Sequence, residues 1–329
     1  MSWLVTGGAG YIGGHIVSAM REAGESVVVL DDLSTGSPER VQGVEFVEGS
    51  VLDAPLVART LRDHDVAGVV HVAGKKQVEE SVRRPLYYYR ENVEGLRILL
   101  EQMVASGVGS LVFSSSAAVY GSPAVEFVDE DSDCRPINPY GMTKWVGERM
   151  VEAVAAATGL RYANLRYFNV AGTAAPALGD RGVSNLVPMV FERLTQRRPP
   201  VIFGADYDTP DGTCIRDFIH VADIASAHVA AGRGLAGGEV SALTANIGRG
   251  EGVSVREMVD AIRAASGTAD QAWAEPIIEP RRPGDPARVV ASAERLRNVL
   301  GWEAQHSVKD MISSAWDAWS RATEGVTAR

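Results

Sequence analysis

The 329-residue chain predicts a doubly wound α/β fold: a parallel sheet with helices on both faces, accompanied by a smaller, discontinuous α/β substrate domain. Three observations carry this prediction. Through roughly the first 170 residues, short β-branched runs alternate with longer stretches of helical period, the order that builds such sheets. Several strand candidates are apolar nearly throughout rather than alternating, as strands covered on both faces must be. A glycine-rich turn, Gly7-Gly8-Ala9-Gly10, joins the first strand candidate to the first helix candidate.

Strands are predicted over 3–6, 27–30, 44–47, 68–72, 110–114 and 161–166. Between them, helices are predicted over 11–22, 55–63, 88–106 and 139–158. The last of these has its start signals in order, with Asn138 suited to the N-cap and Pro139 to the first helical position. Beyond Asn169 proline and glycine become frequent and the alternation breaks down. A helix over 185–196 leads to Pro199-Pro200, a short strand over 201–203 and an Asp/Gly-rich loop over 205–213. A helix over 221–232 and a strand over 242–247 are expected to rejoin the first sheet. The first domain is therefore placed at 1–168 joined by about 217–247, the second at 169–216 and 248–329, with a frayed tail over 322–329.

Charge and cysteine content limit the function. Lysine and arginine number 32 against 42 acidic residues, so the net charge is −10 and no basic field draws the chain to nucleic acid or an anionic membrane surface. Phosphate binding must rest on local cations. The two cysteines, Cys134 and Cys214, lie far apart and form neither a disulfide framework nor a thiolate zinc site. The six histidines have no short ligand spacing beyond His220 and His228, eight apart, and no metal is expected. No signal peptide or membrane span is read, and a cytoplasmic protein is expected.

Two constellations carry chemistry. In Leu4-Val5-Thr6-Gly7-Gly8-Ala9-Gly10-Tyr11-Ile12-Gly13, glycines fall where a strand turns tightly into a helix whose N-terminus can face a pyrophosphate. About 20 residues on, the second strand ends in Asp31-Asp32, where a carboxylate accepts from a ribose 2′-hydroxyl and repels a 2′-phosphate, favouring NAD over NADP. The first domain thus reads as Rossmann-type. Ser116 then follows a strand, and Tyr140 and Lys144 lie four apart on one helix face. A nearby ammonium and a helix N-terminus favour the tyrosine phenolate, making Tyr140 a base for a hydroxyl proton, while Ser116 bonds the same oxygen.

With these residues the chain resembles the extended short-chain dehydrogenase/reductase family, and within it the UDP-glucose 4-epimerases, over essentially its whole length. The resemblance rests on VTGGAGYIGGH (5–15), AGKKQVEESVRRPLYYYRENV (73–93), FSSSAAVYG (113–121), NPYGMTK (138–144), LRYFNVAG (165–172), IFGADYDTPDGTCIRDFIHVAD (202–223) and PRRPGD (280–285). It implies a tightly held NAD, with Gly7, Gly10, Tyr11, Ile12, Gly13 and Asp31 at its adenosine diphosphate half and Ser50 and Val51 near adenine. Lys76, Asn92, Tyr140, Lys144, Tyr167 and Phe168 would approach the nicotinamide half. For a UDP-sugar substrate it implies Asn169, Arg216 and Arg282 at the phosphates, Asn185, Leu186, Val201 and Phe203 at the uracil end, Asp285 at the ribose, and Lys76, Ser116 and Tyr140 near the sugar. The arginines suit phosphate oxygens. It also implies a homodimer whose helices at about 91–106 and 140–158 pair across a two-fold axis, and 4-epimerisation through a transient 4-keto sugar.

Neighbouring activities lack their residues. The acid/base pair that a 4,6-dehydratase places after the serine is Ala117 and Ala118 here, and Ala118 also stands where GDP-fucose-type epimerase-reductases carry a cysteine. A UDP-glucuronate 4-epimerase stays open, since the trio does not read C6. A non-catalytic dinucleotide sensor would not need Ser116, Tyr140 and Lys144. Three departures from the family stand out: Ser50 replaces an aspartate near adenine, Ala118 a common threonine, and Val289 falls where side-chain size governs room for a 2-N-acetyl group. Acceptance of UDP-N-acetyl sugars is expected from the last.

Overall fold

The structure, a computed structural model, describes residues 2–282 and 284–327, the last four of these by backbone alone. Through the first half the chain runs β1 (Ser2–Thr6), α1 (Tyr11–Glu22), β2 (Val27–Asp31), β3 (Glu45–Glu48), α2 (Ala54–Asp63), β4 (Val66–His71), α3 (Val78–Arg83) and α4 (Pro85–Tyr88). A π-helical turn, Tyr89–Glu94, then leads into α5 (Gly95–Ala105), β5 (Ser110–Ser116), α6 (Pro139–Thr158) and β6 (Arg161–Tyr167). The second half comprises β7 (Asn169–Ala171), α7 (Leu186–Thr195), β8 (Val201–Phe203), β9 (Ile215–His220), α8 (Val221–Gly237), β10 (Ala242–Ile247), β11 (Gly252–Ser254), α9 (Val255–Ala265), β12 (Ile277–Glu279), β13 (Arg288–Val289), α10 (Glu294–Leu300) and α11 (Val308–Thr327).

Seven parallel strands form the main sheet in the order β10-β6-β5-β4-β1-β2-β3. The doubly wound fold is therefore as the alternation predicts. β1, β2 and β5 are buried at every position, which explains their unbroken apolar or small-residue runs. Strand order reverses between β1 and β4, and in such sheets a ligand binds in the crevice at that point, beyond the carboxyl ends of the strands. One core layer packs α1 and α8 on the sheet through Ile16, Val29, Val112 and Ile224. The other packs α2, α5 and α6 through Val57, Leu99, Leu111 and Val151.

The smaller half is built on a sheet of β7, β9, β11 and β13, with β8 and β12 paired beside it. Its core joins α7, α9 and α11 through Phe191, Met258, Ile262 and Met311. Helix α9 is fixed by a capping box, Ser254 Oγ accepting from Glu257 N while Glu257 accepts from Ser254 N.

Several boundaries differ from expectation. β9 pairs with β7, β11 and β13, so the return to the main sheet starts at α8, Val221, rather than at 217. Residues of the 290–304 stretch also leave the second half: Leu296 and Trp302 are buried in the first-half core, with Trp302 Nε1 donating to Ser226. The helix expected over 88–106 is divided by the π turn. The tail expected to fray from 322 instead continues α11 to Thr327, and 328–329 lie outside the described residues, as does Pro283 of the PRRPGD motif. No helix among the described residues is long and apolar enough to cross a membrane.

Candidate active site

A cleft of about 500 Å³ opens at the β1/β4 crossing and collects Gly7, Gly10, Tyr11, Ile12, Gly13, Asp31, Ser50, Val51, Lys76, Tyr140, Lys144 and Tyr167. Its floor is shaped for close approach. Gly7 adopts φ +72°, and a Cβ there would stand 2.6 Å from Ala73 N; a Cβ on Gly13 would meet Gly7 O at 2.0 Å. Any side chain at either place would collide with the backbone and force the turn apart. Asp31 closes β2 with Oδ2 accepting from Ala9 N at 2.9 Å and Oδ1 from Leu33 N at 2.8 Å, and burial pushes its pKa up. Tyr11 is buried and donates to Gly172 O at 2.5 Å, linking the glycine turn to the second half. Ser50 turns the chain by accepting from Leu52 N at 3.2 Å. These features fit NAD.

At the other end of the cleft Ser116 ends β5 and Tyr140 sits in the first turn of α6. That helix starts as predicted, with Asn138 Oδ1 accepting from Gly141 N at 2.8 Å and Pro139 first in the helix. Lys144 Nζ donates to Ser114 O at 2.8 Å. Asn92, in the π turn, accepts from Lys75 N at 2.7 Å and donates to Thr143 Oγ1 at 3.0 Å, tying the α3–α5 segment to the helix that carries Tyr140. Behind the strand, His228 Nδ1 faces Ile224 O at 2.8 Å and must carry the proton, so Nε2 accepts from Ser114 Oγ at 2.9 Å. Burial pushes this imidazole down to about 4 and keeps it neutral.

One electrostatic expectation is not met. Burial raises the Tyr140 pKa, opposed by the Ser116 hydroxyl, and Lys144 is not among the causes. The ammonium is engaged with Ser114 O, and burial lowers its own pKa to about 8. Tyr167 is likewise raised, by burial and by Tyr140. The protein's own charges thus leave Tyr140 protonated.

The residues expected at the UDP end fall into pairs. Arg216 on β9 lies 3.4 Å from Asp285, and the Arg282 guanidinium stacks 3.9 Å over the Phe203 ring at the end of β8. Val201 starts β8, and Asn169, exposed, starts β7. Asn185 precedes α7, Leu186 begins it, and Asn185 Nδ2 donates to Asp180 at 3.0 Å. Phe168 and Val289 share a small buried cluster with Tyr120 and Val128.

Sequence reasoning missed four groups. Lys75, rather than the exposed Lys76, crosses the cleft mouth to Ser34 Oγ at 2.7 Å. Arg40 and Asp180 line the cleft from opposite halves. Asp217, fully buried, accepts from Arg249 N, Gly250 N and Ala291 N, fixing the seam where β9, β13 and the end of β10 meet; burial lifts its pKa to about 6. None has a local pattern by which it could be found. Among the described residues, no group of three or more His, Cys, Asp or Glu is placed to hold a metal ion.

A glycine-turn cleft at a parallel-sheet crossing, lined by Tyr140 and Lys144 with Ser116 bonded to Tyr140, defines a dinucleotide-dependent enzyme of the short-chain dehydrogenase/reductase class. The family model described as NAD dependent epimerase/dehydratase family matches residues 3–248, and the chain belongs to that family. It is 47% identical over 328 residues to a UDP-glucose 4-epimerase of Azospirillum brasilense, covering 98% of this chain and 92% of that protein. The structure of a UDP-glucose 4-epimerase from Stenotrophomonas maltophila, with bound NAD and formylated UDP-arabinopyranose, superposes with a TM-score of 0.93 at 38% identity over 99% of each chain. That from Bifidobacterium longum, in complex with NAD+ and UDP, gives 0.91 at 34% identity over 99% of this chain and 100% of the other.

Proposed function

We propose that this protein is an NAD-dependent UDP-glucose 4-epimerase, an isomerase that interconverts UDP-glucose and UDP-galactose. The observation that carries the reading is the pair Tyr140 and Lys144 lining the cleft with the Ser116 hydroxyl bonded to Tyr140, while Ala117 and Ala118 leave no acid/base pair for dehydration. NAD, when bound, would supply the hydride acceptor and donor and, in its oxidised form, a positive charge that favours the tyrosine phenolate. Tyr140 takes the proton of the sugar 4-hydroxyl and later returns it. Ser116 donates a hydrogen bond to that oxygen as it passes between hydroxyl and ketone. Lys144 and Asn92 would hold the nicotinamide end of NAD, and Gly7, Gly10, Tyr11, Ile12, Gly13, Asp31, Ser50 and Val51 its adenosine end. Arg216, Arg282, Asn169 and Asp285 grip the UDP diphosphate and ribose, with Asn185, Leu186, Val201 and Phe203 around uracil. This remote grip leaves the 4-keto sugar free to turn and present its other face.

Incubating the protein with single UDP-sugars, without added NAD, and following the sugar by NMR tests the reading. The C4 epimer is expected; a 4-keto-6-deoxy product would instead establish a dehydratase. The resemblance, which puts Val289 where side-chain size governs room for a 2-N-acetyl group, suggests a second substrate pair, UDP-N-acetylglucosamine and UDP-N-acetylgalactosamine; Val289 itself lies in the buried cluster that also holds Phe168. Measured kcat/KM values should show turnover of both pairs, and inactivity on the N-acetyl pair would reject this extension. The protein acts in the cytoplasm, in keeping with free Cys134 and Cys214, and as a homodimer through α5 and α6.

A further inference from the structure

One loop of the second half, 179–185, roofs the cofactor cleft, which Asp180, Arg181, Gly182, Val183 and Ser184 line. Its first residues are pinned to the cofactor half. Arg40 Nη2 donates to Gly179 O at 2.9 Å, and Arg181 pairs with Glu39 at 3.5 Å. The loop ends in Asn185, whose Nδ2 donates to Asp180 Oδ2 at 3.0 Å, while Asp180 Oδ1 accepts from Gly182 N at 3.0 Å. A single carboxylate therefore both shapes the roof and holds the amide of a nucleotide-pocket residue. Asp180 also lies within electrostatic reach of Arg40 and Tyr11 on the cofactor side, and Arg40 Nε is buried without a hydrogen-bond partner among the described residues.

We propose that Asp180 is a positioning residue that couples occupancy of the nucleotide pocket to retention of NAD. The proposal rests on the reading of Asn185 as a uridine-nucleotide contact. A ligand that bonds Asn185 restrains the loop at its far end, and through Asp180 it restrains the roof over the cofactor. Arg40 supplies the anchor on the opposite wall, so its loss loosens the roof whether or not nucleotide is present. Linkage makes the effect reciprocal: NAD tightens nucleotide binding by the same factor by which nucleotide tightens NAD binding.

The test uses the NAD-loaded holoenzyme, diluted into a glycohydrolase that destroys free NAD, with bound NAD followed in time with and without UDP. In the wild type UDP should slow the loss at least about five-fold, the low end of coupling between two sites. The slowing should vanish in Asp180→Ala, with UDP binding verified by calorimetry, and return only in part in Asp180→Asn, whose single side-chain oxygen can accept from Asn185 but whose amide cannot also accept from Gly182 N. Where Asp180→Ala does not fold, Asp180→Ser takes its place. Arg40→Ala should lose NAD faster in both conditions. Equal slowing by UDP in the wild type and Asp180→Ala, or no slowing in a wild type that binds UDP, would overturn the coupling and leave the epimerase reading standing. A wild type that binds no UDP would overturn both.

Discussion

Tyr140 and Lys144 show how burial sets the terms of the chemistry. Burial raises the Tyr140 pKa, and positive charge brought alongside would favour release of its proton. Replacing it with phenylalanine keeps the ring and removes the base, so Tyr140→Phe should lower kcat by about 10²- to 10⁴-fold with NAD still bound, as steady-state rates and the absorbance of retained cofactor would show. Lys144 is depressed from its ordinary 10.5 to about 8 by burial, with Glu148 opposing. Between those values the unfolded chain keeps the proton and the folded chain has released it. Stability due to this group is thus present above 10.5 and lost as pH falls through 8. Lys144→Met removes that slope. Urea midpoints of cofactor-free protein should show wild type gaining on the variant between pH 8 and pH 10, and parallel curves would refute the assignment.

At the scale of elements, β5, β6 and α6 are locked together behind the site by a buried network. Arg166 on β6 forks onto Glu148 of α6, at 2.9 Å from Nε and 2.6 Å from Nη2. Glu148 also accepts from Ser115 on β5, while Arg166 Nη1 donates to Tyr120 Oη at 2.9 Å. Removing one partner leaves an uncompensated buried charge, so Arg166→Met should cost about 3–5 kcal/mol in denaturant unfolding. The strands and helices of this layer were readable because their periodicity and caps are local: Asn138 and Pro139 announce α6, and the apolar run 27–30 announces β2. Asp31 and the glycine turn were legible for the same reason. What could not be read depends on approach from afar. Asp217 finds its three N–H donors only when β9 meets segments 32 to 74 residues further on, and the choice of Lys75 over Lys76 is made by the β2 loop reaching across the cleft. The direction of the Tyr140 shift depends on burial, which the spacing of Tyr140 and Lys144 does not encode.

For the molecule as a whole, the segment of α3 and α4 carries the most exposed apolar side chains among the described residues, Leu86 at 83% and Val82 at 61% exposure, with Val78 and Tyr89 on the same stretch before the proposed dimer helices. Scattered apolar residues are ordinary on a surface, but four on one short stretch favour a partner. Sedimentation equilibrium should find a dimer for the wild type and a monomer for Val82→Glu/Leu86→Arg; a monomeric wild type would refute the dimer.

The path of β10 also bears on how the chain is made. Asn164 of β6 pairs with Thr244 of β10, 80 residues later. A chain leaving the ribosome can pair the first six strands of the sheet while the hydrogen-bonding edge of β6 stays bare. Such an edge is a template for another chain. Synthesis of the entire stretch from β7 to α8 must pass before it is covered. The interleaving that gives the finished enzyme two tied halves therefore also sets an interval in biosynthesis when its sheet is open to misassembly, closed only when residue 247 is in place.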